Sequence, residues 1–238
     1  VNADIAADLA PQGILRASIN LGNPVLAQGT AQAPAGVSTQ IAREVAARLG
    51  VPAEFTCFSA ARESLAALTS GRADIAFLAI EPARAAEVAF TAPYVIIEGV
   101  FAVPDGSPLT AAAAVDAPGV RIGVNEGSAY DLYLTRTLQH ATVVRAGDGT
   151  AVFLAEGLEA VAGIRGPLTG LVAARPGLRL LDGAFMQIQQ AVGVARGKRP
   201  ETVAFLASLV EELKASGFIQ AHLPGGHTPA PQAPRLHG

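Results

Sequence analysis

Residues 71–94, GRADIAFLAIEPARAAEVAFTAPY, constrain the fold more than any other stretch, because an apolar run feeds directly into a helix start that carries an arginine. Residues 73–80 are nearly all apolar and long enough for a strand covered on both faces, the pattern of a parallel sheet buried between helices. Glu81-Pro82 stops the strand and opens a helix, since a first turn does not need the N–H that proline lacks. Arg84 then stands just past a strand's carboxyl end, where open α/β sheets bind ligands, and its planar guanidinium matches a carboxylate. The competing reading of Arg84 is a solvated helix residue paired with Glu81 or Glu87.

A chain of 238 residues with 50% hydrophobic content is long enough for one large or two modest domains with a substantial core. Its net charge of -3 and pI near 5.8 provide no broad basic field, so a small ligand or protein partner is expected and nucleic acid is not. The longest apolar runs, 94–97 and 100–103, are strand-sized and separated by Glu98 and Gly99, so no bilayer span is expected. The opening Val1-Asn2-Ala3-Asp4 lacks a charged-then-apolar leader, which suits a processed chain and permits export. The single cysteine, Cys57, excludes an internal disulfide and reads as a small buried hydrophobe in a strand over 53–58. His140, His222, His227 and His237 lack metal-ligand spacing, so neither a metal nor a cofactor is expected.

Strands and helices alternate. A strand over 14–20 ends in the loop Leu21-Gly22-Asn23-Pro24, and a helix follows over 38–49 with Ile41, Val45 and Leu49 on one face. Ser38 or Thr39 is expected to cap that helix, Gly50 and Pro52 to close it, and Glu44 and Arg48 to pair on its surface. A second unit repeats the logic with a strand over 53–58, a helix over 62–70 and the strand 73–80, giving a βαβ series. An extended run to Val103 and the turn over 104–108 lead to a second lobe. Strands are expected there at 120–124, 142–145 and 160–164, with helices at 128–138, 151–156 and 168–174. A second extended run, 185–194, returns the chain to a helix over 200–216 with Val203, Leu206 and Val210 inward and Gly217 at its end. The expected division is 1–98 with 191–223 as one lobe, 99–190 as the other, and an irregular tail over 224–238.

This order and its local motifs resemble the extracellular solute-binding proteins of family 3, over roughly 14–223. The carriers are Leu15-Arg16-Ala17-Ser18, Gly36-Val37-Ser38, the segment 65–74 ending Ser70-Gly71-Arg72-Ala73-Asp74, then 82–84 and 90–94. In the second lobe they are 120–128 and Lys214-Ala215-Ser216-Gly217-Phe218. The resemblance implies an α/β, two-lobed type II periplasmic-binding-protein fold. Each lobe would be a mixed, mainly parallel sheet flanked by helices, with two extended hinge crossovers and closure over a small ligand. It further implies a periplasmic, monomeric protein that delivers a solute to an ABC transporter permease.

By the same resemblance Arg84 holds the ligand's carboxylate. Gly127, Ser128 and Ala129 match the segment whose N–H groups and hydroxyl receive the same group, at a helix start that also suits an anion on physical grounds. Ala79 and Phe77 stand where amino-acid binders usually carry hydroxyls, and Ser38 stands where an acidic residue is usual. Ile164 or Arg165 replaces a second expected acid, and Arg165 at a strand end would favour a further anionic or carbonyl group. Glu81, Glu98, Glu126 or Asp131 remain to serve an ammonium. Asn23 either contacts ligand or forms an Asn-Pro turn. Tyr130 and Tyr133 share a helix face and read as core, Tyr130 being the better placed to reach a cleft. Gln189 or Gln190 on the returning run is a further ligand-contact candidate, strand alternation turning only one of them inward. The expected ligand is a small carboxylate, an amino acid of atypical kind or an organic acid. The alternatives are a dehydratase resembling the cyclohexadienyl or arogenate enzymes, which would need a placed acid that no residue pair clearly supplies, and a periplasmic accessory or sensor module.

Overall fold

The computed structural model describes residues 1–234; residues 235–238, the end of the anticipated irregular tail, lie outside the described residues. The chain forms two units, one of residues 1–96 with those from 189 onward, the other of residues 97–188.

The first unit opens with α1 (Ala3–Leu9), β1 (Leu15–Asn20) and a small hairpin of β2 (Gln28–Gly29) and β3 (Pro34–Ala35). It continues through α2 (Val37–Leu49), β4 (Ala53–Phe58), α3 (Ala61–Thr69), β5 (Ile75–Ala79), α4 (Pro82–Ala85) and β6 (Val88–Phe90), and the chain leaves along β7 (Val95–Pro104). The second unit adds β8 (Arg121–Asn125), α5 (Ala129–Thr137), β9 (Thr142–Ala146), α6 (Gly149–Glu156), β10 (Ala160–Ile164), α7 (Arg165–Ala174) and β11 (Leu178–Leu180). The return is along β12 (Met186–Ala195), followed by α8 (Pro200–Ala215) and α9 (Phe218–His222).

In the first unit the strand order is β4-β1-β5-β12, with β6 also on β12. β1 runs parallel to β4 and β5, while β12 is antiparallel to β5. All five residues of β5 are buried, as a centrally placed parallel strand requires. Leu68, Ala76, Leu78 and Val88 pack together there. In the second unit the order is β7-β10-β8-β9, with β8 parallel to both β9 and β10 and β7 antiparallel to β10 and β11. Val100, Ala102, Phe153, Leu158, Val161 and Leu168 form its core.

Helix α2 buries Ile41, Val45 and Leu49 as its periodicity requires, but neither Ser38 nor Thr39 caps it. Its N-cap is Gly36 at φ 100°, a backbone state open to glycine, where a Cβ would lie 2.9 Å from the Leu26 carbonyl oxygen. Ser38 and Thr39 thus fall inside the first turn. Arg48 pairs with Glu44 at 3.1 Å and also with Glu212 of α8 at 2.6 Å, joining two surface helices. Cys57 is only half-buried. In α8, Leu206 and Val210 are buried and Val203 is partly covered; Leu209 and Leu213 complete the stripe. Gly217 follows that helix at φ 82°.

The described part of the tail docks on the first unit. Pro229 bridges Val95, and the Ala230 N–H donates to the Tyr94 carbonyl at 2.9 Å. Lys214, its side chain 1% exposed, donates to the carbonyls of Pro93 at 3.0 Å and Pro231 at 3.1 Å and contacts Glu211 at 2.6 Å. Glu211 in turn accepts the Ala233 N–H at 3.0 Å. A buried ammonium is tolerable because acceptors surround it, so removing it strands both carbonyls and the carboxylate. Lys214→Met should therefore lower unfolding free energy by about 3 kcal/mol in urea titration and expose residues 224–234 to limited proteolysis. Unchanged stability and protection would refute this role of Lys214 in docking the tail.

Candidate functional site

Each unit assembles polar groups at the carboxyl ends of its parallel strands. In the first unit Ala17 lies opposite Ile75 and Ser18 opposite Ala76, a register that, carried forward, sets Leu21 level with Ala79. Asn23 follows, with its Oδ1 accepting the Val25 N–H at 3.1 Å and its carbonyl accepting the amides of Leu26 and Ala27. That is the turn chemistry of an asparagine before proline.

Arg84 sits on α4, two residues after the Pro82 that starts the helix, and is only 2% exposed. The reading of Arg84 as a solvated surface arginine is therefore wrong: the apolar β5 delivers the helix into covered surroundings rather than to solvent. Nη1 donates to the Ala79 carbonyl at 3.1 Å. Burial lowers the guanidinium pKa to about 10, with the nearby charge of Glu81, itself 3% exposed, opposing the fall. The protein keeps a desolvated cation at a strand end.

Around it, Gln190 pairs with Ala79 in the β5–β12 ladder, and its carbonyl accepts the Tyr94 N–H at 2.9 Å. Gln190 is the buried neighbour; Gln189 is exposed and uses its carbonyl to accept the Ile80 N–H at 2.9 Å. Ser38 and Tyr94 are both enclosed, and their hydroxyls approach without making a hydrogen bond of regular geometry to any described group. Burial raises the Tyr94 phenol's pKa, and the neighbouring Ser38 hydroxyl offsets part of the rise. Tyr94 also meets Phe77 edge-on at 6.4 Å. In the sequence Tyr94 stands out only as the last residue of the 90–94 motif. Its signal was its place after Pro93, at the head of an extended run.

In the second unit Ala160 lies opposite Ile122 and Val161 opposite Gly123, so the carboxyl ends of β8 and β10 face the same edge of the sheet. There α5 begins. Ser128 is its N-cap, Oγ accepting the Asp131 N–H at 3.1 Å, while Asp131 Oδ2 accepts the Gly127 N–H at 2.9 Å. Asp131 is held in turn by Arg145 at 2.9 Å and by Thr135 Oγ1 at 3.0 Å. The Ser128 N–H donates to the Asn125 carbonyl. Of the first-turn donors, the amides of Ala129 and Tyr130 are the ones these partners leave open.

Thus Gly127 and Ser128 shape the helix start, and Ala129 with Tyr130 present its donors. The Tyr130 ring is covered, and burial raises its phenol to a pKa of about 12 against the opposing hydrogen bonds from Ser128 and the Asn125 backbone. Arg165 is the first residue of α7 rather than the end of a strand or part of a loop, because Ile164 already serves as N-cap. Its Nε donates to Glu98 Oε2, with both side chains more than 40% exposed.

The phenol makes a prediction with a definite sign. Its folded pKa of about 12 lies above the ordinary 10.0, so the unfolded chain loses the proton first and stability falls as pH rises between those values. Tyr130→Phe should reduce that alkaline loss relative to the parent, measured by urea unfolding across the interval. Identical pH slopes would show that Tyr130 titrates as it does in water.

Two α/β units, each with a mixed sheet whose parallel strands gather polar groups at their carboxyl ends, are the plan of the type II periplasmic binding proteins. The profile of the bacterial extracellular solute-binding proteins, family 3, matches residues 19–223, and the chain belongs to that family. None of the curated proteins matches it at a significant level. Among solved structures, it is similar to a mutant of ArgBP from T. maritima, at 22% identity and TM-score 0.73 over 91% of this chain and 96% of that one. It is similar also to AbpA, an amino acid ABC transporter substrate-binding protein from Streptococcus pneumoniae bound to L-arginine, at 20% identity and TM-score 0.72 over 90% and 94%. A histidine kinase sensor domain with similarity to periplasmic binding proteins matches at 19% identity and TM-score 0.75, over 91% and 98%. At these identities the likeness concerns the fold. Among the described residues no helix is long and apolar enough to cross a membrane.

Proposed function

We infer that this chain is the exported, periplasmic binding component of an ABC importer and takes a small carboxylate-bearing solute, an amino acid or organic acid, without turning it over. The observation that carries the reading is the burial of Arg84 at the carboxyl end of β5. A desolvated guanidinium is costly in the empty protein. An anion that matches its planar fork gains strong, charge-assisted hydrogen bonds in surroundings that screen them little. The amides of Ala129 and Tyr130, at the positive end of α5, supply donors of the kind a carboxylate uses. Ala79 offers its carbonyl to Arg84 and no side-chain donor to a ligand. Asn23, Ser38 and Gln189 in the first unit and Arg165 in the second stand as further contact candidates.

Bending of the two extended connections on binding would give an importer a signal to read, and a monomer suffices for that. The similarity to a histidine kinase sensor domain supports a second reading, in which the same solute recognition reports to a signalling partner instead of a permease.

A thermal-shift panel of L-arginine, L-lysine, L-glutamate, succinate, pyruvate and phenylpyruvate should find at least one carboxylate that raises the melting temperature with concentration. Arg84→Lys keeps the charge but loses the fork, and should weaken that compound at least about tenfold in calorimetry while the empty protein melts almost as before. Undiminished affinity in the variant would contradict the role given to Arg84. Prephenate and arogenate should be recovered intact after incubation with the protein; product formation would replace the binder with an enzyme.

A further inference from the structure

The ion pair between Arg165 and Glu98 changes what a lone arginine at the end of β10 would select. Only one hydrogen bond joins the two side chains, from Nε to Oε2. No described group takes up Nη1 or Nη2 of Arg165 or Oε1 of Glu98 by a hydrogen bond, and the side chains are 43% and 42% exposed. The pair therefore displays a donor edge and an acceptor edge side by side, with no net charge. An exposed ion pair by itself contributes little to stability. This one stands at a particular place, because β8 and β10 are parallel neighbours, so Arg165, which opens α7 after β10, and the start of α5 with the open amides of Ala129 and Tyr130, which follows β8, lie beyond the same carboxyl edge of the sheet. Glu98 lies beside Gly99, which pairs with Ile164 in the ladder of β7 and β10, so the carboxylate is fixed to the same strand end as Arg165.

A second carboxylate arriving here would meet Arg165 but also the like charge of Glu98 within a few ångströms, and an ammonium would meet the reverse conflict. A primary carboxamide meets neither. Its carbonyl accepts from an Nη–H and its NH2 donates to Oε1, so both edges are satisfied without burying an unmatched charge. Resting on the reading of the protein as a carboxylate binder, we propose that Arg165 and Glu98 together are its specificity-determining pair, selecting a carboxylate ligand whose far end is a primary carboxamide over one whose far end is a second carboxylate.

Calorimetry with two matched pairs of probes, L-glutamine with L-glutamate and succinamate with succinate, tests this with and without an ammonium on the ligand. The parent protein should favour the amide of at least one pair about tenfold, roughly the effect of one well-placed polar contact. Glu98→Gln, which leaves Arg165 uncompensated, should reverse the ratio toward the acid; Arg165→Gln should weaken amide and acid alike. Arg84→Lys should weaken both members equally and leave their ratio unchanged. An acid bound as tightly as its amide by the parent, or a ratio unmoved by Glu98→Gln, overturns the inference while Arg84-dependent binding persists. Failure of all four probes alongside Arg84-dependent binding of another carboxylate overturns it too. Absence of any carboxylate binding overturns the function itself.

Discussion

The desolvated guanidinium of Arg84 is the interaction on which the rest of the account depends. Burying a cation is among the least favourable things a chain of this size can do, and stability alone does not ask for it. The surroundings hold Arg84 in place: the Ala79 carbonyl accepts from Nη1, Glu81 supplies nearby negative charge, and burial is what draws the pKa down to about 10. The proposed function gives that cost a purpose, an anionic partner that arrives and leaves. The strand supports this geometry directly, since β5 is buried on both faces and its termination at Glu81-Pro82 fixes where α4 begins.

The start of α5 shows a division of labour between folding and recognition within a single turn. Ser128 and Asp131 satisfy one another's backbone neighbourhood as a capping pair, with Arg145 and Thr135 stabilising the carboxylate that would otherwise repel an anion. The donors not consumed by capping are displaced one residue along the helix, onto Ala129 and Tyr130. Similarly, the Asn23 side chain is used by its own turn, and the Arg165 side chain shares itself with Glu98. In each case the polar group is engaged within its own unit, and the remaining donor or acceptor edge defines what else it can bind.

Much of the fold was legible because burial imposes periodicity. The all-apolar run that became β5, the Ile41-Val45-Leu49 stripe of α2 and the strands over Ala53–Phe58 and Ala160–Ile164 follow directly from it. The short elements α1, the β2–β3 hairpin, β6 and β11 were missed, being too brief for a period to register. The cap of α2 was misassigned because two hydroxyl residues follow Gly36, and only the positive φ of the glycine reveals that the helix starts one residue earlier. Arg84 could be placed at a strand end from sequence, but its burial could not, for exposure depends on what covers a short helix rather than on the helix. The pairing of Arg165 with Glu98 was equally hidden, as it joins residues 67 positions apart through the antiparallel ladder of β7 and β10.

The most direct test of the central claim is whether the protein reads the ligand's negative charge through Arg84. Calorimetric affinities of the tightest-binding carboxylate and of its methyl ester, measured on the parent and on Arg84→Lys, give that coupling. The ester should bind the parent about a hundredfold more weakly than the acid, and this penalty should fall below about tenfold in the variant. An ester bound as tightly as the acid, or a penalty of the same size in both proteins, would contradict it.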